Sequence, residues 1–186
     1  LNLLVLQHKI FSRSVISAIY VDKENLLQNI DKNNLFSLQS YNRVAGLEFN
    51  LFSKDNKWEG ESYFHHSFSP ISSQNGNSYA SFLSYAVKSF KVRAGHVAVD
   101  SFYYAEAGFV PRVGIKQLIS GFEYSFWPIK NLNIRRYILG FSADNTFNTD
   151  WNKLDYLINP FVGIEFKEQS FIGIGITNSY TYLYND

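Results

Sequence analysis

At 186 residues the chain has room for one domain, and 18% aromatic residues separate it from disordered sequences, which are poor in rings and rich in charge. A net charge of +1 with dispersed Lys and Arg leaves no footprint for nucleic acid, and the absence of Cys excludes a disulfide framework and thiolate metal ligands. No stretch reaches the roughly 20 apolar residues of a transmembrane helix; the longest uncharged window, Ser170 to Asn185, is broken by Gly, Thr, Ser and Asn.

The chain opens in strand-like sequence (Asn2–His8) without a start Met or a basic leader, and it reads as a fragment of a longer mature protein. A strand at Ser14–Tyr20 follows, and from there period two dominates over period 3.6. In Arg43–Ser53, Ala45, Leu47, Phe49 and Leu51 oppose Gly46, Glu48 and Asn50. In Ser89–Val99, Phe90, Val92 and Ala94 oppose Lys91, Arg93 and Gly95. In Gly114–Trp127, Leu118, Ser120, Phe122, Tyr124 and Phe126 oppose Gln117, Gly121, Glu123 and Ser125. Ile134–Phe147 sets Tyr137, Leu139, Phe141 and Ala143 against Arg136, Gly140, Ser142 and Asp144. Tyr156, Ile158, Val162, Ile164 and Phe166 then oppose Asp155, Asn159, Gly163 and Glu165, and Ile172, Ile174 and Ile176 oppose Gly173, Gly175 and Thr177. Runs of about 9–14 residues exceed the soluble average of about 5–6 and match the roughly 9–11 of a tilted membrane-spanning strand.

The links alternate in length: long at Val21–Tyr41, Pro70–Asn77 and Asp100–Val113, short at Lys54–Lys57, Ala86–Lys88, Pro128–Asn133 and Lys167–Gln169, with Asn148–Lys153 between. That is the pattern of an up-and-down barrel with long extracellular loops and short periplasmic turns. Trp58, Trp127, Trp151, Tyr103, Tyr104, Tyr180, Tyr182 and Tyr184 fall near strand ends, where amphipathic rings form interfacial girdles. The expectation is an all-β, antiparallel up-and-down transmembrane β-barrel. Residues 1–186 are then part of one outer-membrane β-barrel domain, with about ten strands present and both ends incomplete.

Catalytic patterns are weak. His65 and His66 are adjacent, so on a strand they face opposite ways and share no metal ion. Glu59 and Glu61 lie two apart as a glycosidase pair might, but they serve equally as partners for Arg43, Lys91 or Arg93 on a polar lumen face. His96 with Ser101 is the faintest echo of a lipid-facing hydrolase site, and no Gly-x-Ser-x-Gly elbow or phosphate loop occurs. The candidate lumen charges are Arg43, Glu48, Lys91, Arg93, Glu123, Arg136, Asp144 and Glu165; Arg93, Arg112, Arg135 and Arg136 suit an anion or sugar acid, or a mixed-charge, water-filled or plugged lumen.

The segment Tyr41-Asn42-Arg43-Val44-Ala45-Gly46-Leu47-Glu48-Phe49, the turn Lys54-Asp55-Asn56-Lys57-Trp58, the corner Phe126-Trp127-Pro128 and above all Gly108-Phe109-Val110-Pro111-Arg112 carry a resemblance. The chain resembles an uncharacterised Bacteroidota family of outer-membrane barrels with an N-terminal carbohydrate-binding-like domain. The resemblance implies a β-sandwich before this chain and further strands after it, and it brings no catalytic residue. Pro111 is expected to stiffen the approach to the next strand and Arg112 to anchor its loop.

The resulting expectation is a non-enzymatic protein of the bacterial outer membrane without cofactor or metal, a structural or accessory member of an envelope complex. Its partners are outer-membrane lipid, other envelope proteins and glycans. The alternatives are a channel or uptake barrel for oligosaccharide or a small polar solute, and a barrel anchor for a hydrolase domain outside this chain.

Overall fold

A computed structural model describes residues 1–24, 41–70, 76–130 and 133–182. The expected links at 25–40 and 71–75, part of the Pro128–Asn133 turn, and Tyr184 lie outside the described residues. Within them, strands β1 (Asn2–Ile10), β2 (Ser14–Glu24), β3 (Tyr41–Phe52), β4 (Trp58–Phe68), β5 (Gly76–Ala86), β6 (Phe90–Val99), β7 (Ile115–Phe126), β8 (Ile134–Asn148), β9 (Lys153–Phe166), β10 (Phe171–Gly175) and β11 (Asn178–Thr181) form one antiparallel up-and-down sheet. β1 to β9 pair in sequence order; β10 and β11 both lie on β9 and make one interrupted row. The sheet is not closed, and β1 and the β10–β11 row are its edges.

The interruption has a local cause. Ile176 donates its N–H to the Pro160 carbonyl. In an antiparallel pair the reciprocal bond would come from the N–H of residue 160, which proline lacks, so the ladder breaks at Ile176–Thr177 and resumes at Asn178.

The ladder converts the alternation of each strand into two faces. Ala18, Leu47, Phe64 and Tyr79 are successive cross-strand partners, as are Val92, Phe122 and Phe141, then Leu139, Val162 and Ile174. The opposite face carries Ser17, Glu48, Tyr63, Ala80, Val97, Gln117 and Thr146 in one row. The large side chains of the first face lie open: Leu47 is 58% exposed, Leu139 55% and Ile174 70%. Fully buried residues are mostly small or polar, such as Asn42, Ser67, Ala80 and Ser125. The described sheet is therefore apolar on the side without cover and polar on the other.

Glycines on the polar face make room for neighbours: a Cβ at Gly95 would fall 2.2 Å from the Phe82 ring, and one at Gly140 2.1 Å from that of Phe161. Links at one end, 11–13, 53–57, 87–89, 127–133 and 167–170, are mostly short, and those at the other include 25–40, 69–75 and 100–114. The sorting fails at 149–152, which is shorter than 127–133, so the expected alternation holds for the first three pairs of links only.

Candidate functional site

The polar face and the β6–β7 loop folded over it gather nearly all the groups with chemical potential. The loop is pinned by strand side chains that have no other access to solvent. Asn42, at the start of β3, donates from Nδ2 to the Tyr104 carbonyl at 3.0 Å and accepts the Glu106 N–H at 2.8 Å. Ser67 Oγ accepts the Tyr104 N–H at 3.2 Å. Both residues are almost fully buried, at 2% and 1% exposure.

Asp100, directly after β6, accepts from the Asn77 backbone and side-chain N–H groups at 2.9 and 2.8 Å. Tyr103 is buried beneath the loop, and that burial pushes its phenol above the usual range. Gly76 is required beside it, since a Cβ would stand 2.1 Å from the Tyr103 nitrogen.

Two ion pairs fasten the loop to distant strands. Lys23 on β2 pairs with Glu106 at 2.5 Å, and Arg112 pairs with Asp155 on β9 at 2.5 Å. Arg112 thus meets a carboxylate as a loop anchor would. Tyr103, expected in an interfacial girdle, instead packs under the loop, because Tyr104 and Glu106, which follow it, are drawn onto Ser67 and Asn42.

Of the candidate lumen charges, the register puts Glu48, Lys91, Arg93, Glu123, Arg136, Asp144 and Glu165 on the polar face. Arg43 is a correction: it shares parity with Ala45 and Leu47 and so lies on the apolar face, at its loop end. There it pairs with Asp22 at 2.8 Å and Glu24 at 2.6 Å and lies over the Tyr41 ring, which makes it a rim charge. Glu48 is 3.1 Å from His65 Nε2, while His66 faces the other way toward Asn77. Gln117 donates to both Asp144 oxygens at 2.8 Å.

At the turn end, Arg136 holds Glu165 at 2.6 Å and the Ser125 hydroxyl at 3.0 Å, with Glu123 at 3.6 Å. Arg135 reaches the same Glu165 at 2.7 Å. Adjacent strand residues ordinarily face opposite ways; a register shift between Ile134 and Arg136 re-aims Arg135.

Among the described residues Lys91, Arg93, Glu59 and Glu61 enter no ion pair, so the expected neutralisation of Glu59 and Glu61 by Arg43, Lys91 or Arg93 is not made. Glu59, Glu61 and Arg93 line one recess of about 410 Å³ with Ser84, Phe82 and Asn50. No group of three metal-ligating side chains occurs among the described residues. The inward fold of the loop was hidden from sequence reasoning because its partners, Asn42 and Ser67, lie 64 and 37 residues from the backbone groups they bind. No family model, curated protein or solved structure matches the chain.

Proposed function

We propose that this chain is the wall of an outer-membrane-type β-barrel, with the Leu47 face in lipid and the Glu48 face toward a lumen. The observation that carries the reading is the inversion of the sheet: its large apolar side chains are open while most of its strand charges lie on the other face, several of them paired. In water that arrangement exposes a contiguous apolar face of a kind that monomeric soluble proteins rarely show. In a bilayer it is the ordinary arrangement of lipid-facing and lumen-facing residues.

Three further features support it. First, rings collect at both ends of the apolar face. Trp58, Tyr85 and Phe90 stand at centroid distances of 4.7 and 5.6 Å at the turn end, and Phe147 and Trp151 stand at 5.5 Å at the loop end, where Lys116 lies over Trp151.

Second, the strands are staggered. The row of partners beginning at His8 ends at Tyr180. His8 is two residues from the turn end of β1 and Tyr180 nine from the turn end of β10, a net slip of seven residues over nine spacings. At about 3.3 Å per residue and 4.8 Å per strand this is a tilt of about 30°, close to that of closed barrels.

Third, the loop spans a wide arc. β3 and β9 would stand about 29 Å apart on a flat sheet, whereas the chain from Glu106 to Arg112 covers at most about 21 Å. Side-chain reach and curvature toward the polar face make up the difference.

Open edges are not viable in hydrocarbon, so the reading includes strand partners for β1 and for the β10–β11 row. The role that fits is non-enzymatic: a structural or accessory barrel of an envelope complex. The second reading, a channel or uptake barrel for a small polar solute or oligosaccharide, is favoured by the inward β6–β7 loop, which narrows the space above the polar face. The test is the solvent that the fold requires. The purified protein should keep its β-sheet circular dichroism only in detergent or lipid; a folded, monodisperse, detergent-free form would overturn the membrane reading.

A further inference from the structure

The β6–β7 loop divides into two halves that are held in opposite ways. Asp100–Glu106 is fixed by Asn42, Ser67 and Asn77 through backbone and side-chain hydrogen bonds, with Tyr103 buried beneath. After a turn closed by Gly108 N–H to the Ala105 carbonyl, the chain runs free: among the described residues Phe109, Val110 and Val113 make no backbone hydrogen bond.

Phe109 is 90% exposed. The segment ends at Gly114, whose φ of +69° lies in the left-handed region that glycine adopts without strain. Glycines therefore bound this arm on both sides, as hinges commonly are, and Pro111 stiffens it between them. Among the described residues its sole polar fastening is Arg112 to Asp155 on β9.

We propose that Gly108–Val113 is a gate across the lumen, an arm hinged at Gly108 and Gly114 and caught shut by the Arg112–Asp155 pair. The inference rests on the channel reading and adds its moving part. The fixed half sets where the arm starts, Pro111 makes it swing as a unit, and the single catch lets it release without unfolding any strand. Phe109, bare in the shut position, is the group a passing solute meets first.

The experiment is single-channel recording of the full-length protein in planar bilayers. Cysteines replace Arg112 and Asp155 (R112C with D155C) and are joined by a short cleavable bis-thiosulfonate linker. The linked protein should hold one low-conductance level, and cleavage by a reductant should restore transitions to a level several-fold higher in the same channel. R112A should resemble the cleaved form. Equal conductance before and after cleavage would overturn the gate and leave the channel standing. Failure of the two thiols to link would overturn the catch. A protein that stays silent even when residues 108–113 are replaced by a short turn would overturn the channel reading, and the gate with it.

Discussion

The two faces of the sheet come from one alternating sequence yet are held by different forces. On the Leu47 face neighbours meet through rings and methyl groups that need no particular partner, and charges there such as Asp22, Glu24, Arg43 and Lys116 sit at its loop end. On the Glu48 face a charge commonly has a counter-charge or an amide within hydrogen-bond distance, as with Glu48–His65, Asp144–Gln117 and Glu165–Arg136. A soluble sheet hides its apolar face and wets its polar one; here the protein covers the polar face with its own loop and leaves the apolar face bare. The difference teaches that polarity alone does not tell which face needs a partner: bare Leu and Phe side chains identify it.

The largest expected effect comes from reversing the apolar face. Leu47→Arg or Phe122→Arg should cost roughly 2–4 kcal/mol of folding stability in lipid if the site lies near the bilayer midplane. Glu48→Gln, on the polar face, should cost well under half of that. Urea unfolding in lipid vesicles measures both, and equal costs would erase the distinction between the faces.

Next come the pins of the loop. Asn42→Ala leaves the Glu106 N–H and the Tyr104 carbonyl without their buried partner, which should cost about 1–3 kcal/mol. Hydrogen exchange at the Glu106 amide should accelerate while amides in mid-β3 stay protected; unchanged exchange would show that the loop is held otherwise.

A smaller contrast lies at the turn end. Arg136 contacts Glu165, Glu123 and Ser125, whereas Arg135 contacts Glu165 from a side chain 52% exposed. Arg135→Gln should therefore change stability by less than about 1 kcal/mol, and Arg136→Gln by more. The reverse order in thermal denaturation would contradict the cluster as described.

The smallest effect is a pH dependence confined to the β3–β4 turn. Hydrogen bonds from Ser53 and Lys57, with the Lys57 ammonium close by, hold the Asp55 carboxyl at about 2, below its ordinary 3.8. A depressed pKa contributes stability that is present above 3.8 and lost as pH falls toward 2. Amide exchange of Lys57 and Trp58 should rise in that window only; a flat profile from pH 5 to pH 2 would remove Asp55 from the turn.

Which parts were legible in the sequence follows from how local the signal is. The alternation of Ala45, Leu47 and Phe49 with Gly46, Glu48 and Asn50 is written within one strand, and the register carries it across the sheet. Arg43 misled because its charge suggested the lumen, while its parity with Ala45 put it on the apolar rim; the carboxylates that make this tolerable, Asp22 and Glu24, sit on another strand. The break between β10 and β11 is invisible in the Ile172–Ile174–Ile176 rhythm, since the missing donor is Pro160 on the neighbouring strand. The inward loop was hidden for the same reason: a polar segment between two strands reads as a solvent loop until Asn42, Ser67 and Asp155 are found beneath it.

The most direct test of the central claim is a pairwise scan of nitroxide labels in lipid bilayers, placed singly at 47 and 48, at 122 and 123, and at 141 and 142. Collision with oxygen, which concentrates in hydrocarbon, should dominate at 47, 122 and 141, and collision with a water-soluble nickel chelate at 48, 123 and 142. The same alternation in all three pairs is the predicted result. Labels that show no alternation, or report water on the Leu47 side and lipid on the Glu48 side, would contradict the account.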